Sequence, residues 1–133
     1  MNLAKYLHQL WAEAAELNEL LPEVKVFTGM SSDSARPYAV ISKESAKPFS
    51  RHNDGSALDK VVMRIQVFHG QYDAGLAVMH EVKSAFECAV FDLDGGCKVL
   101  DMRRIGEYEK QLDAEEWQFT VDFQCTVYLR QGV

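Results

Sequence analysis

The sequence lacks the features that mark a membrane span, a disulfide framework or a zinc site. Its apolar runs are only a few residues long, whereas a membrane-spanning helix needs roughly 20 apolar residues. The start Met-Asn-Leu-Ala-Lys has no basic-then-apolar signal pattern. The three cysteines, Cys88, Cys97 and Cys125, are odd in number and form no Cys-x-x-Cys pair. We therefore expect free, buried or half-buried thiols in a protein that stays in the cytosol.

Motifs for catalysis and for phosphate binding are also missing. No Gly-rich phosphate loop, His-Glu-x-x-His or Gly-x-Ser-x-Gly occurs. The four histidines are scattered along the chain: His8, His52, His69 and His80. They could form a metal centre only if the fold brought them together. The polar segments 52–54 and 113–116 could supply acid and base groups, but solvated turns explain them better. We predict no enzymatic activity and no cofactor.

The charge balance disfavours nucleic acid as a partner. The net charge is −6, from 20 acidic and 14 basic residues, and an acidic protein repels phosphates. The only basic cluster is Lys98, Arg103 and Arg104. In a regular strand Lys98 and Arg104 would share one face and Arg103 would point the other way, so the cluster is weak. With 47% hydrophobic residues, the chain 1–133 is predicted to be one globular domain.

Apolar residues at helical spacing predict two α-helices, over residues 2–21 and 72–90. Asn2 is the expected N-cap of the first helix, and Pro22 stops it. In the second helix Leu76, Met79, Val82, Phe86 and Val90 are expected to form the apolar face.

Strands are predicted at 23–28, 37–42, 60–68, 97–112 and 117–129. The last has the clearest pattern, because apolar and polar residues alternate strictly from Trp117 to Leu129. The strand at 37–42 follows a proline and is expected near a sheet edge. Residues 30–36 are predicted to form a small polar spacer, and residues 92–96 are predicted to form a turn. These elements predict an α+β fold, with an antiparallel or mixed sheet and both helices packed on one face.

Residues 43–58 are rich in turn formers and predict a long, exposed and mobile loop. Such loops in compact domains usually serve binding or assembly. Tyr38, Phe49, Phe68 and Tyr128 are expected to remain partly exposed. They are either ordinary surface residues or part of an interface, since exposed aromatics are enriched at protein interfaces. The predicted partner-binding residues are Tyr38, Phe49, Arg51, His52 and Phe68.

The layout of almost the whole chain resembles the tail-terminator or tail-completion proteins of long-tailed bacteriophages and prophages. The similar features are the N-terminal helix ending Leu20-Leu21-Pro22, the strand Val24-Lys25-Val26-Phe27, and Arg36-Pro37-Tyr38-Ala39-Val40-Ile41 after the polar spacer. The long loop, the segment 61–68 leading into the second helix, and the final alternating strand continue the likeness.

The resemblance implies a structural assembly protein that forms a ring, usually hexameric. The ring would cap the tail tube, end its polymerisation and join tail to head. The implied partners are further copies of the chain, the tail-tube protein and a head-completion protein, with DNA passing through the ring. The protein would reside in the bacterial cytoplasm during assembly and then in the virion tail. The residues alone leave two alternatives open: a small ligand-binding or enzymatic α+β domain, and a regulatory adaptor.

Overall fold

A computed structural model describes residues 2–30 and 35–130, which form a six-stranded mixed sheet and three α-helices. The helices are α1 (Leu3–Glu13), α2 (Ala15–Leu20) and α3 (Tyr72–Phe86). The strands are β1 (Val26–Thr28), β2 (Tyr38–Arg51), β3 (Ala57–His69), β4 (Phe91–Asp92), β5 (Lys98–Asp113) and β6 (Glu116–Leu129). Their order in the sheet is β1-β2-β3-β6-β5-β4, with β1 parallel to β2 and the other pairs antiparallel. The predicted α+β class is confirmed. Part of the predicted spacer, residues 31–34, lies outside the described residues.

The first predicted helix is divided at Ala14, so a single helix over 2–21 is wrong. Ala14 is extended, with φ −83 and ψ 98, between α1 and α2. Asn2 caps α1 as predicted, because its side chain accepts a backbone hydrogen bond at 3.2 Å. The buried Trp11 indole N–H donates to the Leu21 carbonyl at 2.8 Å. This hydrogen bond satisfies both the indole N–H and the carbonyl oxygen at the point where α2 ends. Among the described residues, no helix is long and apolar enough to cross a membrane.

The predicted loop 43–58 is a β-hairpin, so that prediction is wrong. The register of β2 and β3 runs from Tyr38↔Phe68 to Arg51↔Ala57, with bulges after Lys43 and Pro48. We call residues 43–61 of this hairpin the arm. Most of its β2 side chains are exposed, so the apolar alternation that reveals a half-buried strand is missing. The ladder of backbone hydrogen bonds to β3 holds the segment in a strand instead.

The inward faces of β3 and β6 form the core, as their alternation predicts. The buried residues are Val61, Met63, Ile65 and Val67 of β3, and Phe119, Val121, Phe123, Cys125 and Val127 of β6. The Phe86 ring of α3 lies 6.2 Å from Trp11 and 6.2 Å from Phe123, centroid to centroid, and links helices to sheet. Burying this apolar surface is the main source of stability.

Further differences from the sequence-based expectations concern the second predicted helix and the first predicted strand. The second predicted helix ends at Phe86 instead of residue 90, and Leu76 and Val90, both expected on its apolar face, are exposed. Gly75 faces the core instead, because a Cβ there would lie 2.2 Å from the Phe119 ring. The strand predicted at 23–28 begins with a 3₁₀ turn over Glu23–Lys25.

Bulges in β5 change which face its basic residues occupy. The register shifts between Val99 and Asp101, so Lys98 and Arg103 lie on one face and Arg104 on the other. The predicted pairing of Lys98 with Arg104 is therefore wrong. One extra residue in a strand reverses every side chain that follows it.

Candidate interaction surface

The sheet has a second face, formed by the side chains that alternate with the buried ones. It consists of the even-numbered residues 58–68 of β3, the even-numbered residues 118–128 of β6, and the residues of β2 and β5 opposite them. We call it the outer face. Most of its β3 and β6 side chains are half-buried, with Thr120 fully buried. It is a candidate surface on which this protein could meet a partner.

A cluster of one arginine and two carboxylates lies at the centre of the outer face. The Arg64 guanidinium donates to Asp122 through Nε at 2.9 Å and Nη2 at 3.1 Å. Its Nη1 also lies 3.4 Å from Glu44 of the arm, and its Cζ lies 5.8 Å from the Tyr108 ring centroid. The hydrogen bonds to Asp122 raise the pKa of Arg64. Because Arg64 contacts both Glu44 of the arm and Asp122 of β6, it links the arm to β6 and is not free to bind a ligand.

Tyr38 and Phe68 form an aromatic cluster at one end of this face. Their rings stack with centroids 4.7 Å apart, and Phe27 of β1 packs edge-on against Tyr38 at 6.3 Å. Tyr38 is 9% exposed, and burial raises the pKa of its hydroxyl. The expectation that Tyr38 is partly exposed is therefore wrong, because two neighbouring rings cover it. Phe68 is half-buried.

Phe49 lies at the opposite end of the outer face and is 59% exposed. The Lys60 Nζ is 4.3 Å from the Phe49 ring centroid, within cation–π distance. Lys47 is directly opposite Lys60 in the β2–β3 register. These three side chains line a shallow concavity of about 260 Å³ with Pro48, Val62 and Gln124. We call it the lysine concavity.

The five predicted partner-binding residues do not form one patch. Phe49 and the Tyr38–Phe68 cluster share the outer face but are about 27 Å apart, at roughly 3.4 Å per residue along β3. Arg51 is exposed opposite Ala57, which belongs to the alternating set on the other face. His52 is exposed in the turn at the tip of the arm. The sequence analysis did not bring Lys47 and Lys60 together, because the loop prediction provided no register between them.

The polar residues considered for catalysis serve local structure. The Asp54 carboxylate accepts from the Ser56 N–H at 2.9 Å and from its hydroxyl at 2.7 Å. These bonds lower the pKa of Asp54 and close the turn of the arm. His8 bonds to Glu23 at 2.9 Å and Thr28 at 2.8 Å, which ties α1 to the start of the sheet. Within residues 2–30 and 35–130, no three His, Cys, Asp or Glu side chains are grouped to hold a metal ion.

The cysteines match the prediction only in part. Cys97 and Cys125 are buried, whereas Cys88 is exposed just after α3. Burial raises the pKa of the Cys125 thiol to about 12. Its thiol therefore stays protonated at neutral pH and behaves as a core side chain.

Comparisons with known proteins give one match in structure and one match to a sequence family. One solved structure with the same fold is a chain described as the virion of a native gene transfer agent particle. It has a TM-score of 0.72 and 14% identity, and the match covers 92% of this chain and 91% of that chain. No curated protein matches the sequence. A family model described as tail completion protein gp17 matches residues 5–128. Because that match spans most of the sequence, the chain belongs to the tail completion protein gp17 family.

Proposed function

We propose that this protein, acting as a single domain over residues 1–133, forms a hexameric ring that caps the phage tail tube. The ring ends tube polymerisation and joins the tail to the head. The family match over residues 5–128 carries the proposal. In a ring, each subunit makes head-to-tail contacts that close on themselves. One rim is then free to dock on the last tube ring, while the other presents no site for a further tube subunit.

The geometry supports an assembly role without catalysis. The outer face is wide and the arm carries an exposed aromatic residue, Phe49. We take the helices to lie together behind the sheet, which leaves the outer face open to partners. These partners are further copies of the chain, the tail-tube protein and a head-completion protein. The net charge of −6 suits a channel through which DNA slides, because a strongly basic lumen would retain phosphates. The protein works in the bacterial cytoplasm during assembly and remains in the virion tail.

Tail-tube protein and electron microscopy test this proposal. Wild-type protein should bind tube ends and limit tube length, because the ring replaces the edge on which the next tube subunit adds. Phe49→Ala should fold normally but weaken end binding, because interface aromatics carry much of the binding energy. Leu76→Ala is the matched control, since Leu76 is exposed on α3, away from the arm. Bare ends and unchanged tube lengths with wild-type protein would reject the capping role.

A second candidate function is a small ligand-binding or regulatory adaptor domain. One observation favours it: a partly apolar groove of about 490 Å³, lined by Leu3, Tyr6, Val61, Val127 and Leu129 among others. This volume lies within the range of small-molecule sites. If the wild-type protein leaves tubes uncapped, binding of apolar small molecules at this groove becomes the leading explanation.

A further inference from the structure

The lysine concavity holds two like charges that the chain itself does not neutralise. Lys47 and Lys60 are directly opposite each other across two strands, an arrangement in which like charges repel. In the part of the chain that the structure describes, neither ammonium lies within 4.0 Å of a carboxylate. Beside them is the largely exposed ring of Phe49. The concavity therefore suits a partner that presents carboxylates next to apolar side chains.

The same chain carries a surface of this chemistry at the end of its first helical segment. No Lys or Arg occurs between Lys5 and Lys25. Glu13, Glu16 and Glu19 are exposed, and no salt bridge of theirs occurs within the described residues. Next to them Leu20 is 45% exposed and Val24 is 77% exposed. We call residues 13–24 the acidic knob.

We propose that the lysine concavity of one copy binds the acidic knob of the next copy in the ring. The two surfaces cannot meet within one chain. Leu17 of α2 belongs to the core cluster together with the inward residues of β3 and β6, whereas the concavity is lined mainly by outer-face residues. Two complementary, non-overlapping surfaces on one subunit produce a head-to-tail contact, which is the kind that closes into a ring. This inference rests on the proposed ring and specifies its subunit contact.

Zero-length cross-linking tests the contact directly. A carbodiimide joins an amine to a carboxylate only where the two touch. In a mixture of ¹⁵N-labelled and unlabelled protein assembled on tail tubes, we expect mixed-label peptides that link Lys47 or Lys60 to Glu16 or Glu19. Assembled rings without such mixed-label links would overturn the assignment.

Charge reversal provides the second test, with sedimentation and tube length as readouts. Lys47→Glu/Lys60→Glu and Glu16→Lys/Glu19→Lys should each weaken ring assembly at least about tenfold, as close interfacial charge pairs do. The quadruple variant should recover assembly, since its reversed surfaces are again complementary. Lys5→Glu/Lys43→Glu is the matched control, because it makes the same change in net charge away from the concavity and should assemble normally.

The outcomes separate this contact from the proposed function. If wild-type protein neither forms rings nor caps tubes, both fail. If wild-type protein caps tubes and both reversals do so equally well, only the contact is wrong. If Lys47→Glu/Lys60→Glu loses retention of double-stranded DNA but keeps its rings, the concavity binds phosphates and the self-contact is rejected.

Discussion

Replacing Phe123 tests the assignment of the core face of β6 most severely. Phe123 is fully buried, opposite Met63 of β3, and its ring is 6.2 Å from that of Phe86. Phe123→Ala removes the ring from the junction between α3 and the sheet and leaves a cavity that the neighbouring strands cannot fill. We expect the free energy of unfolding to fall by about 3–5 kcal/mol, as for other buried Phe→Ala changes. That is a large share of the roughly 5–15 kcal/mol that stabilises an ordinary domain.

Urea unfolding followed by tryptophan fluorescence measures this loss. The midpoint should shift to lower urea while the m-value stays constant, because the surface exposed on unfolding hardly changes. Phe49→Ala is the control: the same side chain is removed from an exposed position, so its cost should stay below about 1 kcal/mol. A Phe123→Ala protein within a few tenths of a kcal/mol of wild type would show that the inward face of β6 has been assigned wrongly.

Two further predictions concern the packing around α3 and the thiols. Gly75→Ala should destabilise the protein by roughly 1–3 kcal/mol in the same urea assay, because the new Cβ would collide with the Phe119 ring. This loss is expected although alanine is the better helix former. An unchanged or raised urea midpoint would contradict this packing. At pH 8 a disulfide reagent should label the exposed Cys88 in the native protein, and should label Cys125 only after unfolding, because the pKa of that buried thiol is about 12. Rapid native labelling of Cys125, detected by peptide mass spectrometry, would refute its burial.

The elements that could be predicted from the sequence are those in which one side faces the core. The alternation from Trp117 to Leu129 and from Val61 to Val67 identified β6 and β3 and their buried faces. The arm has no buried side over most of its length, so its polar residues had the composition of a loop. A side-chain pattern reports burial. A two-stranded ladder is held instead by backbone hydrogen bonds, whose carbonyl acceptors every residue has and whose N–H donors only proline lacks.

The sequence identified single residues of the candidate site but not which residues lie next to each other. Phe49 was recognised as an exposed aromatic residue, but its neighbours Lys47 and Lys60 are 13 positions apart in the chain and meet only through the β2–β3 register. Tyr38 was expected to be exposed and is buried, because stacking against Phe68 depends on the same register. Cross-strand contacts depend on register, which local composition does not encode.

By itself, the sequence determined the α+β class, the inward faces of the two central strands, the N-cap at Asn2 and the family-like layout. The first three follow from local periodicity or local hydrogen bonding along a few turns of chain, whereas the layout is a resemblance to a known family in the order of its elements. Only the tertiary structure decided the break at Ala14, the faces of the basic residues on β5, and the pairing of Lys47 with Lys60. These features depend on bulges, strand register and the packing of rings from distant segments, so they exist only once the sheet has formed.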